Sequence, residues 1–269
     1  MTRLDLPGDE IVGFRAANPG PFTLTGTNSW IVDSGPAWLI DPGPALGAHV
    51  AALIAELERR GGLRGIALTH DHVDHAEAVA AVRARFPEAA LAAARGDVDR
   101  RLRDGERFGP LEAVATPGHA PDHLAFVTGT AALTGDAILG EGSVFIAPDP
   151  GALAGYLDGL ARLRRRELTV LLPGHGPIVD DPAARIDAYV EHRLDRERRL
   201  LAGLGTGART VPELLAAAWP EVSEILRPAA TVTLAAHLDK LADEGRLPAG
   251  VQRPDAGALS PPARSPGSS

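Results

Sequence analysis

Cysteine is absent from this 269-residue chain, which excludes disulfide bonds and thiolate metal ligands. Any metal ion would have to be held by imidazole and carboxylate groups. The chain also lacks an apolar run of membrane-spanning length, and its first residues, MTRLDLPGDE, lack the basic and apolar regions of a signal peptide. We therefore expect a cytoplasmic protein with no membrane association.

Lysine and aromatic residues are scarce as well. Lys240 is the single lysine, aromatic residues make up 4% of the chain, and the formal net charge is −8. This composition argues against a protein that coats itself in nucleic acid, because such binding needs a positive surface and stacking side chains, although a local basic surface could still exist. The hydrophobic content of 45% is sufficient for one large α/β domain and a small appended one.

The segment Leu68–Val79, LTHDHVDHAEAV, places three histidines and two aspartates in six consecutive positions. Inside an ordinary packed core these five groups would compete for few partners, so a metal ion is the simpler partner. The apolar run GIALTH before the cluster predicts a buried strand, and the apolar spacing of DHAEAVAAVRARF after it predicts a helix. The cluster is therefore predicted on a strand-to-helix turn, where α/β folds build their sites.

Three further polar residues each follow an apolar run. They are His119 in TPGHAPDH, Asp136 in LTGDAIL and His175 in LLPGHGP, and each has a glycine beside it that permits a tight turn. A lone histidine after a strand is more often a structural residue. The prediction of a shared site depends on the recurrence of this pattern at four strand ends.

These segments together resemble the metallo-β-lactamase superfamily, in the hydrolase branch that includes glyoxalase II and ribonuclease-type enzymes. The resemblance covers about residues 23–179, and it implies a four-layer αββα sandwich with two zinc ions at the edge shared by its sheets. The ligands it implies are His70, His72 and His119 for one zinc, Asp74, His75 and His175 for the second, and Asp136 between them. Manganese or iron could replace zinc, because nitrogen and oxygen ligands do not select sharply.

The resemblance also implies a hydrolytic mechanism. The two metals would share a hydroxide formed at neutral pH and polarise the substrate oxygen. Asp74 would be both a ligand and a catalytic group that takes up the proton of the hydroxide. His123 is the second predicted catalytic residue, as a proton donor to the leaving group or a substrate contact at the rim of the site, and the alternative is a structural role at the start of a strand.

Other polar residues near these motifs have weaker assignments. Asp41 in LIDPG matches an aspartate that steadies a ligand histidine in the family, with a simple turn aspartate as the alternative. Asn28 in TGTNSW lies in a segment that borders the site in the family, and Asp71 is expected to face away from it. Three histidines without a neighbouring cluster are expected to be structural or solvated: His49, His192 and His237.

Changes in composition divide the chain into three parts. Residues 1–203 are predicted to form the catalytic domain, which ends in a long arginine-rich helix. Residues 204–249 are predicted as three short helices of a small domain, and the Pro/Ser/Gly-rich residues 250–269 as a disordered tail. Motifs such as TPGHAPDHLAF and LPGHGPIV resemble the beta-lactamase-like protein 2 group over nearly the whole chain, which implies that the small domain is winged-helix-like.

The substrate remains open between three hypotheses. A characterised animal member of the beta-lactamase-like protein 2 group cleaves single-stranded RNA, so the resemblance favours phosphodiester hydrolysis. The negative charge and the breadth of the superfamily favour hydrolysis of a small-molecule thioester, ester or lactone. A third hypothesis is a DNA-binding regulator whose metal only stabilises the fold.

Two groups of arginines bear on the choice between RNA and a small molecule. They are Arg162, Arg164, Arg165 and Arg166, and Arg193, Arg196, Arg198 and Arg199. They could form a basic approach that neutralises phosphates, and the alternative is a pair of solvated helix faces balanced by neighbouring acids.

Overall fold

The structure, a computed structural model, describes residues 1–6, 10–33 and 35–255, which form two β-sheets and seven α-helices. The first sheet has its strands in chain order: β1 Thr2–Asp5, β2 Ile11–Arg15, β3 Asn28–Val32, β4 Ala37–Ile40, β5 Leu63–Ala67, β6 Ala90–Ala93 and β7 Arg100–Arg101. The second sheet, in the spatial order β12-β11-β10-β9-β8, contains β8 Arg107–Phe108, β9 Leu111–Ala115, β10 Leu124–Thr128, β11 Ala131–Gly135 and β12 Val170–Pro173.

The helices cover the outer faces of the sheets or lie in the C-terminal part. They are α1 Gly47–Arg59, α2 Val73–Ala76, α3 Val79–Arg85, α4 Ala152–Arg164, α5 Pro182–Gly205, α6 Val211–Ala218 and α7 Arg227–Asp243, with one 3-10 helix at Glu224–Leu226. Within the described ranges, none of the helices combines the length and the apolar character that crossing a bilayer requires.

Three apolar cores hold the layers together. Trp30 and Val32 of β3 point to the second sheet and pack in one core with Phe126 of β10. Ile31, between them in the sequence, points the other way and packs with α1 and α3, since successive side chains of a strand alternate between its faces. Helices α4 and α5 cover the outer face of the second sheet in the same manner. The layers follow as helix, sheet, sheet and helix, which confirms the predicted αββα fold.

Loops after several strands meet along one edge of this sandwich. Strands β4 and β5 run parallel, as do β11 and β12, so their carboxyl ends point to the same edge within each sheet. Backbone hydrogen bonds join the loops across this edge, from Leu124 N to Thr69 O at 2.8 Å and from Asn28 N to Gly174 O at 2.7 Å. The histidine-rich segment after β5 therefore lies against the loop that follows β9, and the start of β3 lies against the loop that follows β12.

The helix predicted after the histidine cluster is divided into α2 and α3. Gly43 causes the break, because its backbone N donates to His75 O and its carbonyl accepts from Ala78 N, each at 2.9 Å. The His75 carbonyl is thereby taken by a residue from another loop. The prediction of one continuous helix was wrong at this point, since the sequence of the segment itself does not contain the competing partner.

The C-terminal part has an apolar cluster of its own. Leu200 and Leu204 at the end of α5 pack there with α6 and α7. The described residues beyond Gly205 contain a helix, a 3-10 turn and a second helix, but no strand. The predicted division between residues 203 and 204 falls within the last turn of α5.

The first residues of the predicted tail are packed against this cluster. The Arg253 guanidinium contacts both oxygens of Asp239, at 2.6 and 2.7 Å. The backbone N of Gln252 donates to Arg209 O at 2.8 Å. Residues 250–255 therefore differ from the predicted disordered tail, because these contacts hold them, and residues 256–269 lie outside the described residues.

Candidate metal centre

The structure brings the seven predicted metal ligands together at the edge where the two sheets meet. Their donor atoms fall into three overlapping groups, in each of which all the atoms lie within 4.8 Å of one another. The groups are His70, His72 and His119; His70, His75 and Asp136; and Asp74, His75 and His175. The first and third groups have the same members as the two ligand sets expected from the sequence.

Asp136 lies between these two sets. Its Oδ2 is 3.4 Å from His119 Nε2 on one side. Its Oδ1 is 3.4 Å from both His75 Nε2 and His175 Nε2 on the other side. The carboxylate thus faces both halves of the cluster, which is the position that a bridging ligand requires.

A hydrogen-bond chain from Asp41 orients His70. Asp41 accepts from the Thr69 backbone N at 2.8 Å and from Thr69 Oγ1 at 2.7 Å. Since the Thr69 hydroxyl donates its proton to Asp41, its oxygen accepts from His70 Nδ1 at 3.0 Å. This assigns the proton of a neutral His70 to Nδ1 and leaves Nε2 free to bind a metal ion.

His75 and His175 are oriented in the same way. His75 Nδ1 lies 2.9 Å from Asp41 Oδ2, and His175 Nδ1 lies 3.3 Å from Gly26 O. In both rings the proton at Nδ1 points outward and Nε2 points into the cluster. The contact with His75 agrees with the position predicted for Asp41. Thr69, which the sequence motifs did not indicate, links Asp41 to His70 as well.

Several donor atoms in the cluster lack partners that protein groups could supply. His70 Nε2 and Asp136 Oδ1 are buried without a hydrogen-bond partner among the described residues. His72 Nδ1 lies 3.0 Å from His119 Nε2, and His75 Nε2 lies 3.2 Å from His175 Nε2. One proton at most can lie between two such nitrogens, whereas a divalent cation satisfies several lone pairs at once. The donor set therefore fits metal ions.

The charges in the cluster favour a cation as well. Burial lowers the pKa of His119 to about 4. Burial also acts to lower the pKa of His75 and His175, but carboxylates outweigh it: Asp74 and Asp136 raise the pKa of His75 well above 6.5, and Asp136 raises the pKa of His175 to about 9. These carboxylates attract positive charge, which a divalent ion would supply in place of protons.

Thr27 and Asn28 support the site from the start of β3. Thr27 Oγ1 donates to Asp74 Oδ2 at 3.1 Å. Asn28 is fully buried, and its Nδ2 donates to the carbonyls of Pro173 and Gly176 at 3.0 Å each, on either side of His175. Asn28 thus holds the loop that presents His175. Thr27 was missed, although it stands in the TGTNSW segment that drew attention to Asn28.

His123 was predicted as a proton donor at the rim, but the structure places it underneath the cluster. The residue is 1% exposed. Its Nδ1 donates to Thr116 Oγ1 at 2.8 Å, and its Nε2 accepts from the Asp136 backbone N at 3.0 Å. Burial lowers the pKa of His123 well below its ordinary value, so the ring is neutral and presents no free proton to a substrate. This geometry matches the alternative structural role rather than proton donation.

The remaining residues selected from the sequence lie away from the donor atoms. Asp71 faces outward, as expected, and lies 3.5 Å from Arg95 Nη2. His49 is buried beside Ser29 Oγ and Pro42 O, at 3.0 and 3.1 Å. His192 and His237 lie on α5 and α7, where His237 is buried against Trp219 with a ring separation of 5.7 Å.

Seven of the eight arginines considered as a basic approach are paired with acids or buried. Arg162, Arg164 and Arg166 pair with Asp104, Asp187 and Glu112, and Arg198 and Arg199 pair with Asp195. Arg193 and Arg196 are 2% and 6% exposed and donate to the carbonyls of Val144 and Ala218. These contacts favour the alternative of charge-balanced helix faces over a phosphate-binding surface.

Comparison with known proteins connects this arrangement to a family. Residues 22–99 match the Metallo-beta-lactamase superfamily, and residues 210–248 match the Beta-lactamase associated winged helix domain. A beta-lactamase domain protein from Burkholderia ambifaria has a similar solved structure, with a TM-score of 0.73 and 20% identity, covering 88% of this chain and 86% of that chain. TTHA1623, solved in a di-iron-bound form, has a TM-score of 0.50 and 27% identity, covering 62% of this chain and 94% of that chain.

Several relatives are similar along most of their length. The lactamase-like protein vrtG of Penicillium aethiopicum is 34% identical over 252 residues, covering 86% of this chain and 81% of that protein. An atrochrysone carboxyl ACP thioesterase of Aspergillus chevalieri is 32% identical, with coverages of 76% and 71%. The beta-lactamase-like protein 2 homolog of Caenorhabditis elegans is 30% identical, with coverages of 72% and 70%. Identity at this level over most of both chains assigns the protein to the metallo-β-lactamase superfamily, in the form that carries the associated winged helix domain.

Proposed function

We propose that this protein is a metal-dependent hydrolase of small-molecule thioesters or related acyl esters. The observation that carries the proposal is the cluster of five imidazoles and two carboxylates, in which His70 Nε2 and Asp136 Oδ1 have no hydrogen-bond partner among the described residues. Members of the superfamily are usually hydrolases, and one relative bears the name of an acyl carrier protein thioesterase. The cluster and this relative together support acyl transfer to water as the reaction class.

The proposed centre holds two metal ions. His70, His72 and His119 would hold one, Asp74, His75 and His175 the other, and the Asp136 carboxylate would contact both. When bound, divalent ions supply a nucleophile from water at neutral pH and polarise the substrate carbonyl. We propose zinc, with manganese or iron as alternatives, and the di-iron form of a structural relative supports iron among them.

Asp74 is the proposed proton acceptor within this centre. Its side chain is 29% exposed, so it faces the side from which water and substrate arrive. Burial acts to raise the pKa of Asp74, but His75 and His175 outweigh it and hold the pKa below its ordinary value. The group is therefore a carboxylate at neutral pH, and the hydrogen bond from Thr27 Oγ1 keeps it in place.

Cleavage of single-stranded RNA is the second candidate function. The resemblance to the beta-lactamase-like protein 2 group favours it, and a homolog with that name is 30% identical to this chain. The paired and buried arginines weigh against it, since phosphate binding would require breaking their existing contacts. We therefore place thioester hydrolysis first.

The test measures metal content and hydrolysis together. Purified protein would be analysed for zinc, manganese and iron, then assayed with acyl thioesters of N-acetylcysteamine and with labelled single-stranded RNA, with and without a chelator. We expect about two metal equivalents and chelator-sensitive thioester cleavage. RNA cleavage without thioester cleavage would reverse the order of the two candidates.

Two variants distinguish the loss of a proposed metal ligand from the loss of a histidine elsewhere in the protein. His72→Ala removes one proposed ligand, whereas His192→Ala removes a histidine on α5 that lies outside the cluster. We expect His72→Ala to lose metal and about a hundredfold or more in rate, and His192→Ala to retain both. Unchanged metal content in His72→Ala would exclude the proposed centre.

A further inference from the structure

Two phenylalanines form an aromatic surface beside the metal-ligand cluster. The Phe145 ring lies 4.5 Å from the His119 ring, measured between centroids. Phe22, from the connection between β2 and β3, meets Phe145 edge to face at 6.4 Å. Phe22 is 54% exposed, so this surface is open to a ligand.

The backbone around Phe145 is held from the C-terminal helices. The carbonyl of Val144 accepts from Arg193 on α5, and the backbone N of Ile146 donates to Thr233 Oγ1 on α7 at 3.1 Å. Phe145 itself packs against Val232 and Ala235 of α7. Helix α7 thus supports the back of the residue whose ring touches His119.

The same segment is joined to the loop that carries His119. The backbone N of Ala147 donates to Gly118 O at 2.7 Å, and Gly118 immediately precedes His119. A movement of α7 that displaces residues 144–147 would therefore shift the Phe145 ring and change its distance from the cluster. The winged helix domain therefore contacts the segment that places Phe145 beside His119.

We propose that Phe22 and Phe145 bind the bulky apolar acyl group of the substrate, and that Thr233 of the winged helix domain is a positioning residue for this surface. The proposal rests on the proposed thioester hydrolysis. An apolar group placed here would cover the exposed ring of Phe22 while its carbonyl lies at the cluster, and burial of apolar surface favours such binding. The winged helix domain then acts in acyl selection.

The first test compares acyl groups on one leaving group. Wild-type protein and Phe22→Ala would be assayed with the acetyl and 2-naphthoyl thioesters of N-acetylcysteamine. We expect Phe22→Ala to lower kcat/KM for the naphthoyl thioester about tenfold and to change the acetyl rate less than about twofold. Ile225→Ala, a control at another exposed apolar residue, 63% exposed, should leave both rates unchanged.

A binding measurement gives a readout that does not depend on turnover. The 2-naphthylmethyl thioether of N-acetylcysteamine cannot be hydrolysed as a thioester, and its affinity can be measured by calorimetry. Phe22→Ala and Phe145→Leu should each weaken its binding, with Phe145→Leu keeping an apolar side chain against α7. Equal affinity in wild type and both variants would overturn the aromatic subsite.

The second test concerns Thr233. Thr233→Val removes the hydroxyl that accepts from Ile146 N, and Thr233→Ser keeps it. Thr231→Val is a matched control, because Thr231 Oγ1 donates within its own helix to Arg227 O at 2.9 Å. We expect Thr233→Val to lower the naphthoyl-to-acetyl ratio about fivefold or more, Thr233→Ser to restore it, and Thr231→Val to leave it unchanged.

The possible failures are distinguishable. An active wild-type enzyme whose acyl preference is the same in Phe22→Ala and Thr233→Val would overturn this inference and leave the proposed function standing. A wild-type enzyme that hydrolyses no thioester would overturn both. A melting temperature lowered equally by Thr233→Val and Thr233→Ser, with an unchanged acyl preference, would show that Thr233 has only a structural role.

Discussion

His123 Nε2 accepts a hydrogen bond from the backbone N of Asp136 at 3.0 Å, beneath the proposed metal centre. The contact fixes the residue whose two carboxylate oxygens face the two halves of the cluster. We predict that His123→Ala lowers metal retention about tenfold or more, because Asp136 N–H loses its partner in a buried place. Metal content after dialysis against a weak chelator measures this effect.

The same variant distinguishes positioning from proton donation. A proton donor would leave metal content intact and remove one limb of the pH–rate profile, whereas a support for Asp136 affects metal binding first. His192→Ala serves as the control for replacing a histidine, since His192 lies on α5 outside the cluster. Full metal content in His123→Ala with a lost pH limb would restore the catalytic role expected from the sequence.

Asp41 supports two of the proposed ligand histidines, His75 directly and His70 through Thr69. In Asp41→Asn the amide replaces one acceptor oxygen by a donor, so it cannot accept from all three present donors. We predict a loss of about 10- to 100-fold in metal affinity. Asp71→Asn is the matched control, because Asp71 stands between two ligands in sequence yet faces Arg95. Equal affinities in the two variants would contradict the support role of Asp41.

The clustering of the seven proposed ligands could be predicted because their signals are local. Each follows an apolar run, and His119, Asp136 and His175 each have a glycine beside them that is visible in the sequence itself. The layers of the sandwich could be predicted only with the family resemblance. Alternating burial, as at Trp30 and Ile31, indicates a strand but does not say which sheet it faces.

The features that escaped prediction depend on contacts between distant segments. The break between α2 and α3 comes from Gly43, and the aromatic surface of Phe22 and Phe145 depends on their contacts with each other and with His119. Some arginine partners also lie on other elements, as Glu112 does for Arg166, whereas Asp195 lies on the same helix as Arg198 and Arg199. A pattern along one segment contains no information on such partners.

Glu56 of α1 forms ion pairs with three arginines. Arg3 lies on β1, Arg59 is the last residue of α1, and Arg60 follows the helix. Hydrogen bonds from Arg59, opposed by burial and reinforced by Arg60 and Arg3, lower the pKa of Glu56 from 4.5 to about 2. Because the folded-state pKa lies below the unfolded value, the stabilisation is complete above pH 4.5 and is lost as pH falls from there through about 2.

The matching prediction compares two glutamates of α1. Glu56→Gln should lose about 1–2 kcal/mol of unfolding free energy at neutral pH, after allowance for solvent around the exposed arginines. The difference from wild type should shrink as pH falls toward about 3. Glu58→Gln, whose side chain is 44% exposed beside Arg85, should change stability little. Urea unfolding at several pH values measures both, and a constant Glu56→Gln difference across the range would contradict the assignment.

Gly174 has no side chain, and the space that a Cβ would fill is taken by atoms of the cluster. A Cβ at this residue would lie 2.7 Å from both Asp136 Oδ1 and His75 Cε1, closer than unstrained contacts permit. Gly174→Ala should therefore displace the Asp136 carboxylate or the His75 ring, and we predict a loss of at least half of the bound metal with a larger loss of activity. Gly205→Ala is the control, because no atom lies within 4 Å of a Cβ there. Since alanine favours helix over glycine, Gly205→Ala should keep its metal and its stability. A Gly174→Ala protein with full metal content and wild-type rate would mean that Asp136 and His75 move freely, which is incompatible with their fixed hydrogen bonds to His123 and Asp41.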